Sequence, residues 1–495
     1  MINFYRFTKL FLLLAMPLLF TQCAPEPQKE TKKQASSEEF VEDAINAPEK
    51  PKLTHDFTQI KNDGVLRAIV GYSSTSFFTY KGEPMGYEYE LLKKLSDHLG
   101  VKLEIVLARN YDEMFTMLNE GKGDIIAFGL TITESRRKFV DFTSWHTTTE
   151  QVLVQRKPDN WRDIPVHRTE KQLIRNVLDL TEKEVYVRKK SSYFERLINL
   201  GHEIGEPINI KTVPGDMSTE ELIRLVNEKE IPCTVADQHI AMLNSTFYRD
   251  LDIKTKISFP QRIAWAVRKN SPELLEVVNE WVEKNRGTVT FNVIFNKYFK
   301  NNKAFRERAG SMYFSKTGGK ISEYDDFIKA AASEINWDWR LLASLIFQES
   351  RFDANAESWA GAVGLMQMMP ATAKEHGCND LRNPHESLKA GTSFLKWLLN
   401  YWSEIEVEEE RVKFVLASYN VGHGHVQDAR RLAKKYGADP NVWDDNVAKY
   451  LLKKSSEEYY TQDVVRHGYC RCAEPYQYVK AILKRYKIYK ELIPA

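Results

Sequence analysis

Residues 337–375 read WDWRLLASLIFQESRFDANAESWAGAVGLMQMMPATAKE. The first part has helical spacing. Leu342, Leu345 and Ile346 stand seven, four and three residues before Glu349, so all four side chains share one face. A carboxyl group therefore closes an apolar stripe. Burial disfavours the charged form and raises a carboxyl pKa. A carboxylic acid still protonated near neutral pH is what general acid catalysis requires. Upstream, Ser322 followed by Asp325 forms a capping signature. Tyr324, Phe327, Ile328, Ala331 and Ile335 then repeat at helical spacing. The spacing predicts a mainly helical unit from 322 onward.

Past Glu349, many residues fall at fixed offsets: Ser350, Phe352, Ala356, Ser358, Gly361, Ala362, Gly364, Leu365, Met366, Gln367, Pro370, Thr372 and Ala373. This run resembles the signature of the lysozyme-like lytic transglycosylases, ES-x-F-x-x-x-A-x-S-x-x-G-A-x-G-L-M-Q-x-x-P-x-T-A. LASYNVGHGHV (416–426) matches their A-Y-N-x-G element at Tyr419, Asn420 and Gly422, with Ser418 where Ala is typical. EPYQYVKAILKRY (474–486) resembles their closing E…YV element at Glu474, Tyr478 and Val479.

The resemblance implies a lysozyme-like fold and a reaction. The family cuts the β-1,4 bond between N-acetylmuramic acid and N-acetylglucosamine in peptidoglycan without water, leaving a 1,6-anhydro ring. Glu349 is implied as the acid, then the base. Most glycosidases need two carboxylates, with substrate-assisted exceptions; no matched motif supplies an obvious second one, and Asp353 and Glu357 read as loop residues. Ser350, Gly364, Met366, Gln367, Tyr419, Asn420, Glu474 and Tyr478 are implied substrate-binding residues. Glycine lets backbone approach a sugar closely, and Gln367 and Asn420 each donate and accept. Met366 either lines the groove or packs in the core. Some aromatic residues of this unit are expected to line a glycan groove, but the sequence does not say which. Two alternatives stay open: a lysozyme-type muramidase using water, and a solute-binding lipoprotein with a passive glycan-binding domain.

The preceding stretch, 53–300, alternates strands and helices. Val65–Val70 is a β-branched run; Leu91, Leu92, Leu95 and Leu99 mark a helix face; Val101, Leu103, Ile105 and Leu107 alternate as a strand does. Ile125–Phe128 is a further apolar strand. This order predicts an α/β domain with a largely parallel sheet. The stretch 64–145 resembles the amino-acid-type periplasmic solute-binding proteins, which have two α/β lobes closing on a small ligand. Their TxTxxR segment matches Thr131, Thr133 and Arg136, with Arg137 as the competing register. The matching arginine would grip an α-carboxylate with its guanidinium fork, and Asp237 would receive the amino group. Residues 301–321, with three glycines and no clear period, read as a linker.

The N-terminus reads as an address. Arg6 and Lys9 precede an apolar run from Leu10 to Phe20. That run is shorter than the ~20 residues needed to span a bilayer but fits a signal-peptide core over 1–23. Cys23 resembles the lipidated cysteine of bacterial lipoproteins, although Gln22 stands where a small residue is usual. The chain is thus expected in the periplasm, anchored to the outer membrane. Residues 24–52, rich in Pro, Glu, Lys and Gln, read as a flexible tether.

The chain has 495 residues, 70 basic and 68 acidic, for a net charge of +2. At ~150 residues per domain, two to four domains fit. The balanced charge argues against nucleic-acid binding, which rests on many phosphate contacts. Cys378 could pair with Cys470 or Cys472 in an oxidising compartment. The Cys470–Cys472 spacing lacks a second Cys/His pair, so no metal is expected, and no cofactor is implied.

Overall fold

The computed structural model describes residues 54–494. The expected signal segment, Cys23 and the tether lie outside the described residues. No helix among the described residues is long and apolar enough to cross a membrane.

The first lobe contains β1 (Val65–Gly71), helix α1 (Tyr87–Leu99), β2 (Lys102–Ala108), β3 (Ile125–Thr131), β4 (Val140–Phe142) and β5 (Thr147–Thr149). Leu91, Leu92, Leu95 and Leu99 of α1 are buried as their spacing requires. The second lobe contains β6 (Gln151–Arg156), β7 (Glu184–Arg188), β8 (Asn209–Val213), β9 (Cys233–Asp237) and β10 (Leu251–Asp252). The chain then returns to the first lobe as β11 (Gln261–Arg268). The first sheet runs β2-β1-β3-β11-β4 and the second β8-β7-β9-β6-β10.

Both sheets are mixed rather than largely parallel. β1 pairs in parallel with β2 and β3, but β11 runs antiparallel to β3, β4 and β5. In the second sheet β6 runs antiparallel to β9 and β10. The strands that cross between lobes enter each sheet from the opposite direction, which reverses the pairing.

The stretch 301–321, read as an irregular linker, is instead packed. It holds helix α2 (Asn302–Ala309) and buries Phe305, Phe314 and Ile321. Phe314 sits edge-on to Phe78 of the first lobe at 5.1 Å, and Ser315 N donates to Thr79 O at 3.0 Å. Three apolar anchors outweigh the missing period.

The second unit is helical: α3 (Asp325–Ser333), α4 (Trp339–Ser350), α5 (Pro384–Tyr401), α6 (Glu408–Val421), α7 (His423–Lys435) and α8 (Ala473–Leu492). Helix α4 is buried along most of its length and packs against α8, with Ser344 Oγ donating to Ile482 O at 2.7 Å. Its N-terminus is capped by Asp338, which accepts from Arg340 N. In α3 Phe327 faces outward, while Ile328 and Ala331 are buried, as is Ile335 just past its end. Helix α8 also reaches the first lobe: Tyr489 Oη donates to Gly82 O, and Arg109 donates to Glu491 O, both at 2.7 Å.

Cys470 is bonded to Cys472. Cys378 is buried and free, as is Cys233, so neither of the Cys378 pairings considered forms.

Candidate active site

Glu349 occupies the last turn of α4 and is half-buried. Tyr478 Oη, from α8, donates to its Oε1. Burial pushes the Glu349 carboxyl up to about 7; the Tyr478 bond opposes this, and the Glu474 charge adds to it. Burial thus gives Glu349 the raised pKa expected of a general acid. Tyr419, at the end of α6, is close enough that burial and then the Glu349 charge raise its own pKa.

A loop after α4 is held through its backbone carbonyls by Ser350 and Tyr419. Ser350 Oγ donates to Leu365 O at 2.8 Å and Tyr419 Oη donates to Met366 O at 2.8 Å. Met366 N donates to Ser387 Oγ at 3.3 Å. Gln367 Nε2 donates to Ala356 O and Gly364 O at 2.9 and 3.0 Å. Gly364 has φ +83°, and a Cβ there would stand 1.9 Å from Leu381 O. Met366 is 0% exposed and fills the notch at Gly391, where a Cβ would meet it at 2.5 Å. Its side chain is core, so only its backbone serves the site. Asn420 and Glu474 are exposed at the rim.

Asp353 and Glu357 are engaged elsewhere: Asp353 accepts from Asn355 N at 2.9 Å, and Glu357 pairs with Arg382 at 2.7 Å. Among the described residues, no group of three His, Cys, Asp or Glu could hold a metal ion.

A cavity lies between the two lobes. Arg136 and Asp237 both line it, with Arg188, Tyr111, Phe128, and Glu220. Arg136 is buried and lines the cavity, whereas Arg137 is exposed. Arg136 Nη1 donates to Thr131 O at 3.0 Å, so Thr131 supports the guanidinium from behind. Thr133 caps the short turn by accepting from Arg136 N. Asp237 is buried, and its Oδ1 lacks a hydrogen-bond partner. Burial raises its pKa to about 7, against the opposing effects of Tyr193, Arg136 and Arg188.

Two family models match the chain. Residues 66–301 match the family "Bacterial extracellular solute-binding proteins, family 3", and residues 326–442 match "Transglycosylase SLT domain". A protein of Desulfosudis oleivorans named membrane-bound lytic murein transglycosylase F is 33% identical over 434 residues, covering 88% of this chain and 91% of that one. The chain belongs to the membrane-bound lytic murein transglycosylase F family. A Pseudomonas fluorescens protein of the same name is 30% identical, covering 87% of this chain and 85% of its own. Among solved structures, a mutant of ArgBP from T. maritima is 24% identical with a TM-score of 0.41, covering 50% of this chain and 99% of that one. An ancestral arginine-binding protein bound to arginine is 26% identical with a TM-score of 0.40, covering 48% and 98%.

As a member of the lytic murein transglycosylase F family, the chain is a peptidoglycan lytic transglycosylase of the cell envelope. Several residues around its site carry no sequence signal. Ser387 anchors the Met366 loop from α5, yet no motif contains it. Arg188 stands over the Tyr111 ring at 4.5 Å in the lobe cavity and ends an ordinary strand. Tyr478, by contrast, belongs to the E…YV element, but that element did not show that it bonds the acid 129 residues away.

Proposed function

We propose that this protein cleaves the bond between N-acetylmuramic acid and N-acetylglucosamine without water, using Glu349 alone as acid and base. Glu349 gives its proton to the bridging oxygen as the bond from that oxygen to C1 breaks. The substrate's acetamido oxygen shares the charge that develops at C1. The Glu349 carboxylate then takes the proton of the C6 hydroxyl, and O6 bonds to C1 to close the 1,6-anhydro ring. Glu349 ends protonated, ready for the next strand. One observation carries this reading: a single half-buried carboxyl held near pKa 7 by burial and a tyrosine bond. Ser350, Gly364, Met366 and Gln367 form the wall beside it, Tyr419 holds that wall, and Asn420 and Glu474 meet the glycan at the rim. A lysozyme-type reaction would call on a second carboxylate, and Glu474 is the carboxyl whose charge reaches Glu349. Digestion of purified peptidoglycan by wild type and Glu349→Gln separates function from inert binding: fragments appear only with the wild type if Glu349 is the acid.

The proposal extends to the rest of the chain. Residues 1–23 direct export, lipidated Cys23 anchors the protein to the outer membrane, and 24–52 tether it. The binding domain spans 53–300, the connector 301–321 and the catalytic domain 322–495. Arg136 takes the carboxylate of an amino acid or peptide, and its amino group draws Asp237 into the charged state. Helix α8 supplies the link to catalysis: it carries Tyr478 and also the first-lobe contacts of Tyr489 and Glu491. A shift of the first lobe on ligand closure thereby reaches the partner of Glu349. A ligand that binds without changing the cleavage rate would refute this coupling, since an effector must distinguish two states.

A further inference from the structure

Helix α5 carries Phe394, Trp397 and Tyr401 at spacings of three and four residues, so the three rings climb one face. Phe394 and Trp397 lie nearly parallel, with centroids 6.0 Å apart and planes at 14°. Trp397 and Tyr401 follow at 5.5 Å and 29°. His423, the first residue of α7, stands edge-on to both, at 5.0 and 4.7 Å. The inner end of this strip is joined to the catalytic centre. The Phe394 ring lies 5.4 Å from Tyr419, and Tyr419 holds the loop beside Glu349. The outer end is open, with Trp397 41% and Tyr401 39% exposed. Among the described residues, Trp397 Nε1, Tyr401 Oη and the His423 ring nitrogens have no hydrogen-bond partner.

A packing role explains Phe394 but not the outer rings. Core aromatics bury their faces, and a contiguous exposed apolar patch marks a binding surface. The chemistry of the strip matches one occupant. An aromatic face is electron-rich and attracts the C–H face of a pyranose ring. The free N–H, O–H and imidazole groups at the ring edges suit hydroxyl and acetamido groups, which lie around a sugar's rim. The strip starts at Tyr419, where the scissile bond must sit, and a glycan strand has further sugars to place along it. We propose that Trp397, Tyr401 and His423 form an outer subsite that stacks a sugar ring of the strand beyond those held next to Glu349. This rests on the assignment of Glu349 as the acid acting on a glycan strand. The subsite adds affinity only when the strand is long enough to reach it, so it makes the enzyme prefer long strands.

The test compares kcat/KM on long uncrosslinked glycan strands with kcat/KM on a tetrasaccharide cut from them, using the whole protein. For Trp397→Ala the preference for long strands falls about two- to tenfold, the worth of one aromatic contact, and Tyr401→Ala behaves alike. Trp397→Tyr, which keeps a flat ring with a polar edge, retains most of the preference. An unchanged preference in both alanine variants overturns the subsite. So does an equal loss on both substrates, which makes the strip part of the scaffold, or a Trp397→Tyr variant no better than Trp397→Ala. Glu349→Gln run alongside separates this outcome from the parent reading: if that variant still cuts both substrates, the acid is misassigned, whatever the strip does.

Discussion

Replacing Tyr478 by Phe removes one hydroxyl and leaves the ring in place. That hydroxyl donates to Glu349 Oε1 and is the main influence holding the Glu349 pKa down against burial. A hydrogen bond to a charged group contributes about 1.5–3 kcal/mol, and one pKa unit corresponds to about 1.4 kcal/mol. Without the bond, the Glu349 pKa should therefore climb about one to two units above its present value of about 7. Glu349 must be protonated to give its proton to the leaving oxygen, so activity is lost as pH rises through this pKa. In Tyr478→Phe the alkaline limb of the profile should move up by about one unit or more. The assay is the initial rate of soluble fragment release from purified peptidoglycan between pH 5 and 10, analysed for kcat/KM. The limb position is the readout, because positioning losses lower the whole curve without moving it. A limb that stays fixed or moves down would refute the reasoning about how the acid is tuned.

Glu349 also ties stability to pH. Its pKa is raised from 4.5 to about 7 on folding, so the folded state binds more protons across that window and stability falls as pH rises through it. Glu349→Gln should be more stable than wild type at pH 8, by up to about 3 kcal/mol, with the gap closing below pH 4.5 in denaturant melts. Asp428 is fully buried against Lys454 Nζ at 2.9 Å and accepts from the backbone of Arg466 and His467. Burial pushes its carboxyl up, but these bonds more than offset it and hold it well below the usual range. Asp428→Asn should destabilise by about 3–5 kcal/mol, since it leaves a buried ammonium uncompensated, and should lower the thermal midpoint at neutral pH. Gly364→Ala should cost at least about 2 kcal/mol through its positive φ and the clash with Leu381 O, with activity falling alongside stability. Arg136→Ala should abolish any thermal shift produced by a panel of L-amino acids and short peptides, while fragment release without ligand persists.

The acid was legible because helical spacing and the fixed offsets of the ES-x-F signature both converge on it. Helical spacing placed Glu349 with Leu342, Leu345 and Ile346, and all three of those residues are buried beneath it. The neighbouring loop was less legible. Ser350, Gln367 and Tyr419 are spent on carbonyl groups of that loop, and residue type alone does not tell a backbone clamp from a sugar contact. Met366 could have been groove or core; the close fit to Gly391 made it core. The E…YV element marked Tyr478, but its bond to Glu349 depends on packing of α4 against α8, a long-range event that sequence spacing does not record. The mixed sheets had the same origin, since β11 is a buried run whose direction depends on a return from the other lobe. Cys470 and Cys472, with Cα atoms 5.2 Å apart, pair with each other, while Cys378 is buried and free.

The central claim is that the C6 hydroxyl, not water, completes the cleavage begun by Glu349. Mass spectrometry of fragments released in oxygen-18 water tests it directly. The account predicts 1,6-anhydro ends that carry no label, and no fragments from Glu349→Gln. Reducing ends carrying one labelled oxygen would contradict it and establish a hydrolase instead.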